Sequence, residues 1–400
     1  MSNNYNYKGD DFWVSPYNGL KPETKKPAKV LLHDATLRDG EQTPGVAFRK
    51  EDKIRIARAL DELGIDRIEA GMPAVSQEDF EAIKEISKMG LNAKIMAFCR
   101  ANVKDVEMAA KCGVWGTIVE IPSGEPRLKW QFKWSRQEII EKSIICIQRA
   151  KELGLHVTYF PFDTTRAEPD FLFDLVKTVV KEGKPDSLAI IDTLGCAMPS
   201  TIQYLVGEIQ KIVDIPLEIH AHNDFGLGVA NELAAVESGV QVVHGCINAL
   251  GERTGNAAME ELIIGLKYLL GYNLNVDLSK IQGVSKLVSE LSNQRVHPYK
   301  PAVGQNIFSR ETGAGIKMLS ETPLAVFPFR PEVVGLESRA LLGKKSGSDS
   351  IEVKSEQYGI KLTEDEIKVV VQNIKALSMK EKRTVSDEEF LSIAKSVSGK

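Results

Sequence analysis

The sequence has few cysteines, no long apolar run and no excess of basic charge, and each shortage excludes a class of protein. Its 5 cysteines are scattered over 400 residues without a C-x-x-C pair, which indicates reduced thiols in a cytoplasmic protein rather than a disulfide framework. The formal net charge is -4, so neither nucleic acid nor an anionic membrane is an expected partner. No apolar stretch approaches the length of a membrane span, and the first residues do not have the pattern of a signal peptide.

Short apolar runs that favour β-strands recur along the chain, and each is followed by a segment with helical periodicity. The predicted strands are residues 29–34, 66–71, 93–98, 116–121, 156–161, 187–192, 216–221 and 240–245. Amphipathic segments that end in glycine, such as KEDKIRIARALDELG, lie between them. Eight strand–helix units in roughly 240 residues predict an α/β protein with a parallel (β/α)₈ barrel, the TIM-barrel fold.

A doubly wound open sheet is the alternative fold. It would require a glycine-rich turn after the first strand, and RDGEQTPG does not contain G-x-G-x-x-G. The predicted organisation is an N-terminal arm at residues 1–27, a catalytic barrel at 28–274, a linker subdomain at 275–335 and a mainly helical C-terminal subdomain at 336–400.

Two of the six histidines stand two residues apart in EIHAHNDFG. In a strand, His220 and His222 point to the same face. Active residues of such barrels lie at the C-terminal strand ends, where Asp39 could supply a carboxylate. Two histidines and one carboxylate with open positions suit a divalent metal ion such as Mg²⁺, Mn²⁺ or Zn²⁺. The other interpretation is a pair of histidines hydrogen-bonded inside the barrel.

Two further residues at the predicted strand ends suit the binding of an oxo acid. Arg38 could polarise a carbonyl group or hold an enolate oxygen, because guanidinium stays charged and binds oxyanions through two N–H groups. Thr193 could donate a hydrogen bond to a carboxylate. The alternatives are a surface salt bridge for Arg38 and local packing for Thr193.

Three motifs carry a resemblance to a known family. LHDATLRDGEQTPGVAF, EIHAHNDFGLGVAN and NALGERTGNAAMEE, in that order, resemble the homocitrate synthase and isopropylmalate synthase family, nearest to its short homocitrate synthases. The resemblance covers about residues 29–347. It implies a barrel followed by helical subdomains in a homodimer. It also implies a metal-dependent, Claisen-type condensation of acetyl-CoA with a 2-oxo acid, followed by thioester hydrolysis.

The resemblance also implies roles for individual residues. The metal ligands would be Asp39, His220 and His222, with Asn256 near or on the metal. Arg38 would polarise the carbonyl of the 2-oxo acid, and Thr193 would hold its carboxylate. Gln42 and Arg100 complete the predicted substrate-binding set. Because Arg100 or Arg127 could pair with a distal carboxylate, 2-oxoglutarate is the first expected substrate.

The sequence departs from the family pattern at positions linked to proton abstraction from acetyl-CoA. Phe162 stands where the family has a glutamate, and Asp163 follows where it has an aspartate. In the segment FSRETGAG, Arg310 and Gly315 occupy the places of two family histidines, and Lys345 replaces another. An arginine cannot act as a general base at neutral pH, although it can bind a carboxylate or a CoA phosphate.

These departures leave three interpretations. In the first, the chain is a condensing enzyme whose base is Glu120, Glu69 or Asp163. In the second, it is a lyase or aldolase of the same superfamily that makes or breaks a C–C bond without acetyl-CoA. In the third, it is a non-catalytic paralogue that binds ligands. The predicted catalytic set is Arg38, Glu120, Asp163 and Arg310.

Overall fold

In the computed structural model, which describes residues 5–20 and 25–399, eight parallel strands close into a barrel. The strands are β1 (Leu31–Asp34), β2 (Arg67–Glu69), β3 (Lys94–Arg100), β4 (Gly116–Pro122), β5 (His156–Phe162), β6 (Ser187–Asp192), β7 (Leu217–Ala221) and β8 (Val242–Gly245). Each pairs with the next, and β8 returns to β1 with His33 opposite His244. This closure confirms the predicted (β/α)₈ barrel and excludes the open sheet.

The helices follow the strands in the expected alternation. In the first part of the chain they are α1 (Lys50–Leu63), α2 (Gln77–Ile86), α3 (Val103–Cys112), α4 (Glu125–Arg127), α5 (Arg136–Glu152), α6 (Pro169–Gly183), α7 (Pro199–Ile209), α8 (Gly228–Glu237), α9 (Met259–Ile264) and α10 (Ile281–Ser292). In the remainder they are α11 (Met318–Glu321), α12 (Ser348–Gln357), α13 (Glu364–Glu381) and α14 (Asp387–Ser398). No described helix combines the length and the apolar character that a membrane crossing requires.

Local sequence signals set the ends of two helices. Helix α1 ends at Gly64, whose φ of 102° favours glycine; a Cβ there would lie 2.1 Å from the carbonyl oxygen of Asn275. Helix α5 begins with a capping box, in which the hydroxyl of Ser135 accepts a bond from the backbone N–H of Glu138 at 3.2 Å. Gly64 therefore fixes where α1 stops, and Ser135 fixes where α5 starts.

An apolar cluster fills one side of the barrel interior. Its buried members are Met96, Phe98, Ile118, Phe160, Phe162, Ala189 and Ile191. The side chains come from β3, β4, β5 and β6, which are neighbours in the barrel. The buried side chains of His33, Glu69, Glu218, His220 and His244 lie on the other four strands, β1, β2, β7 and β8.

The described residues form two compact units, 17–20 with 25–296 and 5–16 with 297–399. The first unit extends beyond residue 274 because α10 packs on α1 and the amide of Asn248 donates to the carbonyl of Ser285 at 2.9 Å. The predicted arm divides between the units, and its residues 1–4 and 21–24 lie outside the described residues, as does residue 400. The predicted boundary at residue 335 stays a prediction.

The second unit has its own core. Helices α12, α13 and α14 bury a cluster that includes Ile351, Ile374 and Phe390. Two short strands, β9 (Ser309–Arg310) and β10 (Arg339–Ala340), pair in parallel. Helices α12, α13 and α14 confirm that the C-terminal region is mainly helical, as predicted.

Candidate metal centre and active site

Three predicted metal ligands converge at the C-terminal end of the barrel. His220 lies on β7, His222 follows that strand directly, and Asp39 lies in the loop after β1. The Nε2 atoms of His220 and His222 are 3.4 and 3.7 Å from Oδ2 of Asp39. We call these three residues the rim cluster. Their ligand atoms all lie within 4.8 Å of one another, a spacing that allows a shared metal ion.

The protonation states of the rim cluster suit a cation. Burial lowers the pKa of His222 to about 4 and also lowers the pKa of His220, so both rings are neutral and keep a lone pair. Burial opposes ionisation of Asp39, but Arg38 and the two histidines hold its pKa well below the usual range. Two neutral imidazoles and one carboxylate are a donor set that divalent metals accept.

Asn256 adds an unused acceptor beside this set. Its amide nitrogen donates to Oδ1 of Asp39 and to the carbonyl of Leu250, each at 3.0 Å. Its Oδ1 is buried and has no partner among the described residues. Buried polar atoms are nearly always satisfied in proteins. The residues therefore fit a metal ion, with Asn256 as a further possible ligand.

Arg38 stands next to the rim cluster in a fixed position. Its Nη1 donates to Asp39 at 2.7 Å, and its Nε donates to Glu69 at 2.5 Å. The guanidinium carbon lies 4.2 Å from the centre of the Phe98 ring. These contacts orient a positive charge toward the space beside the rim cluster, as stabilisation of a developing oxyanion requires.

A second group of histidine and carboxylate side chains lies deeper in the barrel. His33, Glu218 and His244, which we call the inner cluster, are completely or almost completely buried. Nε2 of His244 lies 2.7 Å from Glu218 Oε2, and Arg67 Nη1 donates to the other oxygen of Glu218 at 2.7 Å. Nε2 of His33 lies 3.3 Å from Glu69.

The inner cluster is poorly arranged for a metal, although its atoms also lie within 4.8 Å of one another. The rings of His33 and His244 stack at 4.0 Å with only 8° between their planes. Each nitrogen lone pair lies in its own ring plane, so one ion cannot lie in both planes. Arg67 also supplies the positive charge that Glu218 needs. The contacts fit a structural network.

A cavity of about 410 Å³ opens beside the rim cluster, and we call it the rim cavity. Its apolar wall consists of Met72, Phe98, Phe132, Phe160, Phe162 and Ile191. Its polar wall includes Arg38, Gln42, Arg100, Glu120, Arg127 and Thr193. All four predicted substrate-binding residues therefore line one space with three of the predicted metal ligands. A cavity of this size suits a small molecule.

The predicted substrate-binding residues differ in the hydrogen-bond partners that they already have. The hydroxyl of Thr193 accepts a bond from the backbone N–H of Asp163 at 2.7 Å and keeps its own proton to donate. Gln42 accepts a bond from Arg38 at 3.3 Å. Arg100 donates two hydrogen bonds to the carboxylate of Asp105, at 2.7 and 3.2 Å. Asp105 therefore already neutralises Arg100.

Two predicted catalytic residues are not brought into the rim cavity. Asp163 is bound by Arg166 through two bonds of 2.8 and 2.6 Å, and it does not line the cavity. Arg310 lies in the second unit, where its Nε and Nη2 both donate to the carbonyl of Ala314 at 3.1 and 2.8 Å. Their predicted roles receive no support from these contacts and stay predictions.

The inner cluster was not predicted from the sequence as a group. Glu218 lies two residues before His220 on β7 and therefore points to the same face. That signal was present in EIHAH. The pairing of His33 with His244 depends on which strands become neighbours, and the register of β1 against β8 settles it.

Comparison with known proteins adds a second line of support. The chain matches the HMGL-like family over residues 29–288 and the homocitrate synthase post-HMGL domain-like family over residues 302–382. It is 38% identical to homocitrate synthase AksA of Methanothermobacter thermautotrophicus, over 97% of this chain and 98% of that protein. It is 41% identical to 2-isopropylmalate synthase of Methanocaldococcus jannaschii, over 94% of this chain and 73% of that protein.

A solved structure shares the barrel fold. The HMG-CoA lyase of Bacillus subtilis superposes on this chain with a TM-score of 0.62 at 21% identity. The superposition covers 68% of this chain and 96% of that one. At this level of identity, the similarity is one of fold.

Proposed function

We propose, on the premise that this chain belongs to the HMGL-like family, that it is a metal-dependent synthase that condenses acetyl-CoA with a 2-oxo acid. The similar homocitrate and 2-isopropylmalate synthases span most of the chain, and this makes the chain an acyltransferase-type enzyme. The observation that carries the proposal is the rim cluster, which lines one cavity together with the predicted substrate-binding residues.

Asp39, His220 and His222 would hold the metal, with Asn256 as a further ligand. A bound divalent ion supplies Lewis acidity to a 2-oxo carboxylate. The protein's own residues position the substrate: Arg38 would bind the 2-oxo oxygen and stabilise the negative charge that develops there. The hydroxyl of Thr193 would donate a hydrogen bond to the substrate carboxylate.

The rest of the rim cavity bears on which 2-oxo acid is bound. Arg127 lines this cavity and donates only to Gln131, at 2.7 Å, while its buried Nε has no partner among the described residues. No described carboxylate pairs with it. A distal substrate carboxylate would satisfy this guanidinium. We therefore expect a dicarboxylic 2-oxo acid, with 2-oxoglutarate as the first candidate and Arg127, rather than Arg100, as its anchor.

The test is release of free thiol from acetyl-CoA by the purified protein with Mn²⁺ or Mg²⁺. The acids to compare are 2-oxoglutarate, pyruvate and 3-methyl-2-oxobutanoate. We expect release with 2-oxoglutarate and loss of release with a chelator. Arg127→Met should raise the KM for 2-oxoglutarate and leave that for pyruvate unchanged. Preference for an acid without a distal carboxylate would contradict the substrate assignment.

A lyase or aldolase is the second candidate, favoured by Phe162 and Arg310 at the places of the family glutamate and histidine. It predicts C–C bond cleavage without thiol release. No thiol with any acid from metal-loaded protein would favour this candidate. A homodimer in the cytoplasm remains our expectation from the family.

A further inference from the structure

A second cavity adjoins the rim cavity. It has a volume of about 810 Å³ and shares Arg100, Glu120, Phe132 and Phe162 with the rim cavity. Its other lining residues come mainly from the start of α3 and from α5. We call it the side cavity. Glu120 and the two phenylalanines therefore form a wall that both cavities share.

The lining of the side cavity suits a long ligand with an apolar arm and an anionic end. Pro122, Trp134 and Ile145 supply apolar surface, and Lys104 and Lys142 supply positive charge. The ammonium of Lys142 lies 5.0 Å from the centre of the Trp134 ring. Neither lysine forms an ion pair with a described carboxylate. In the proposed reaction, the anions available to bind these two lysines are the phosphates of acetyl-CoA.

The three carboxylates considered as the base differ in their partners. Glu69 is bound by Arg38 and His33. Asp163 is held by both bonds from Arg166. The carboxylate of Glu120 forms no hydrogen bond or ion pair among the described residues, and it lines both cavities. A general base must have a free lone pair within reach of the substrate proton.

We infer that the side cavity admits the acyl thioester and that Glu120 is the general base that removes a proton from its methyl group. This inference rests on the proposed function. Breaking the C–H bond leaves an enolate, whose carbon forms a bond to the carbonyl carbon of the 2-oxo acid. The carbonyl electron pair moves to oxygen next to Arg38, and this oxygen takes up one proton from water. Glu120 releases the proton that it removed to solvent and is again a carboxylate. Water then cleaves the thioester to a carboxylate and free CoA thiol.

The electrostatic surroundings of Glu120 agree with this role. Burial raises the pKa of Glu120 to about 7, against the opposing effect of the Arg38 guanidinium. A carboxylate with a pKa near the working pH is a stronger base than an exposed one and is still largely ionised at pH 7.5 to 8. Phe162, on the same wall, helps to exclude water from it.

The first test is Glu120→Gln, which removes the basic carboxylate and keeps the size and shape of the side chain. We expect thiol release to fall about 10² to 10⁴-fold, the usual contribution of a positioned base. Metal content and the KM values of the remaining activity should stay near those of the wild type. Turnover within about tenfold of the wild type, or loss of metal or substrate binding, would overturn the assignment. The matched control is Glu141→Gln, an exposed residue of α5 bonded to Gln137.

Glu120→Asp supplies a second readout if the glutamine variant folds poorly. A retracted carboxylate should slow proton removal and thereby increase the kinetic isotope effect with acetyl-CoA deuterated at the methyl group. A purely structural role would not change the isotope effect. An isotope effect equal to that of the wild type would therefore contradict a role as base.

The side cavity is tested by the double variant Lys104→Ala and Lys142→Ala. We expect the KM for acetyl-CoA to rise at least about tenfold, since two charge contacts are lost. The KM for the 2-oxo acid, and that for acetylpantetheine, which lacks the nucleotide phosphates, should not change. An unchanged KM for acetyl-CoA would exclude the side cavity. If wild-type protein releases no thiol with any acid, the proposed function itself fails, which is a distinct outcome.

Discussion

The rim cluster and the inner cluster contain the same residue types in the same barrel, and they differ in ring geometry and in access to a cavity. In the inner cluster, Glu218 is compensated by Arg67 and His244, and the histidine rings stack on each other. All four of these histidines have a buried Nδ1 without a partner among the described residues. The rim cluster differs in that its two rings lie at 69° to each other and in that it lines a cavity. It also adjoins Asn256, whose buried Oδ1 has no described partner. A set of ligand-type residues indicates a site where its geometry lets several lone pairs meet at one point and where a ligand has access.

The largest effect is expected from breaking the rim cluster. His220→Ala removes one of the three proposed ligands, so bound metal should be lost and turnover should fall about 10⁴-fold, because a Lewis acid contributes several kcal/mol to transition-state stabilisation. Metal analysis and thiol release measure the two losses. His297→Ala, at an exposed histidine of the second unit, is the control and should behave as the wild type. Full activity of metal-free His220→Ala would refute the ligand assignment.

The inner cluster should respond in the opposite way. Glu218→Gln leaves the buried Arg67 charge without its partner, which should lower the free energy of unfolding by about 3–5 kcal/mol. Denaturation in urea measures this loss, and the metal content should not change. Adding Arg67→Met removes both charges and should restore part of the stability. Loss of metal from a folded Glu218→Gln protein would show that the two clusters are not separate.

The stabilisation of the protein by added metal also distinguishes the rim cluster from the inner cluster. Metal that binds only the folded state should stabilise the wild type by about 2.7 kcal/mol at a concentration 100 times its Kd. The free energy of unfolding of Glu218→Gln should rise by the same amount, although it is lower than that of the wild type without metal. His220→Ala should gain nothing, and the melting temperatures with and without Mn²⁺ measure all three. An equal gain in His220→Ala would place the stabilising ion elsewhere.

The smallest expected effect concerns pH. Burial lowers the pKa of His33 to about 3 and that of His244 to about 4. Below the unfolded value of 6.5, the unfolded chain takes up a proton that folded His244 rejects, so this residue's contribution to stability is lost as the pH falls from 6.5 toward 4. Between pH 7 and 5, metal-free His244→Gln should therefore lose about 2 kcal/mol less stability than the wild type. Equal acid sensitivity of the two proteins would contradict a buried, neutral His244.

Much of this architecture was predictable because its signals are local. Each barrel strand is a short run of β-favouring residues bounded by turn signals, and all eight appear within a few residues of the predicted positions. The rim cluster was predictable for the same reason: H-x-H on a strand and an aspartate after another strand meet at one end of a parallel barrel.

The parts that sequence reasoning missed depend on contacts between distant segments. The spacing of residues along the sequence does not show that Arg166 neutralises Asp163 or that Asp105 is paired with Arg100. Asp163 also has a left-handed backbone conformation, with a φ of 65°. The stack of His33 on His244 requires the closing pair of the barrel. Residue types alone left three carboxylates equally plausible as the base, and only their partners separate Glu120 from the others.

Anomalous diffraction at the manganese absorption edge, from crystals grown with Mn²⁺, tests the central distinction most directly. We expect one strong anomalous peak, between the Asp39 carboxylate and the rings of His220 and His222, and no peak at the inner cluster. A peak between His33, Glu218 and His244, or no peak at the rim cluster with manganese in excess, would contradict this expectation.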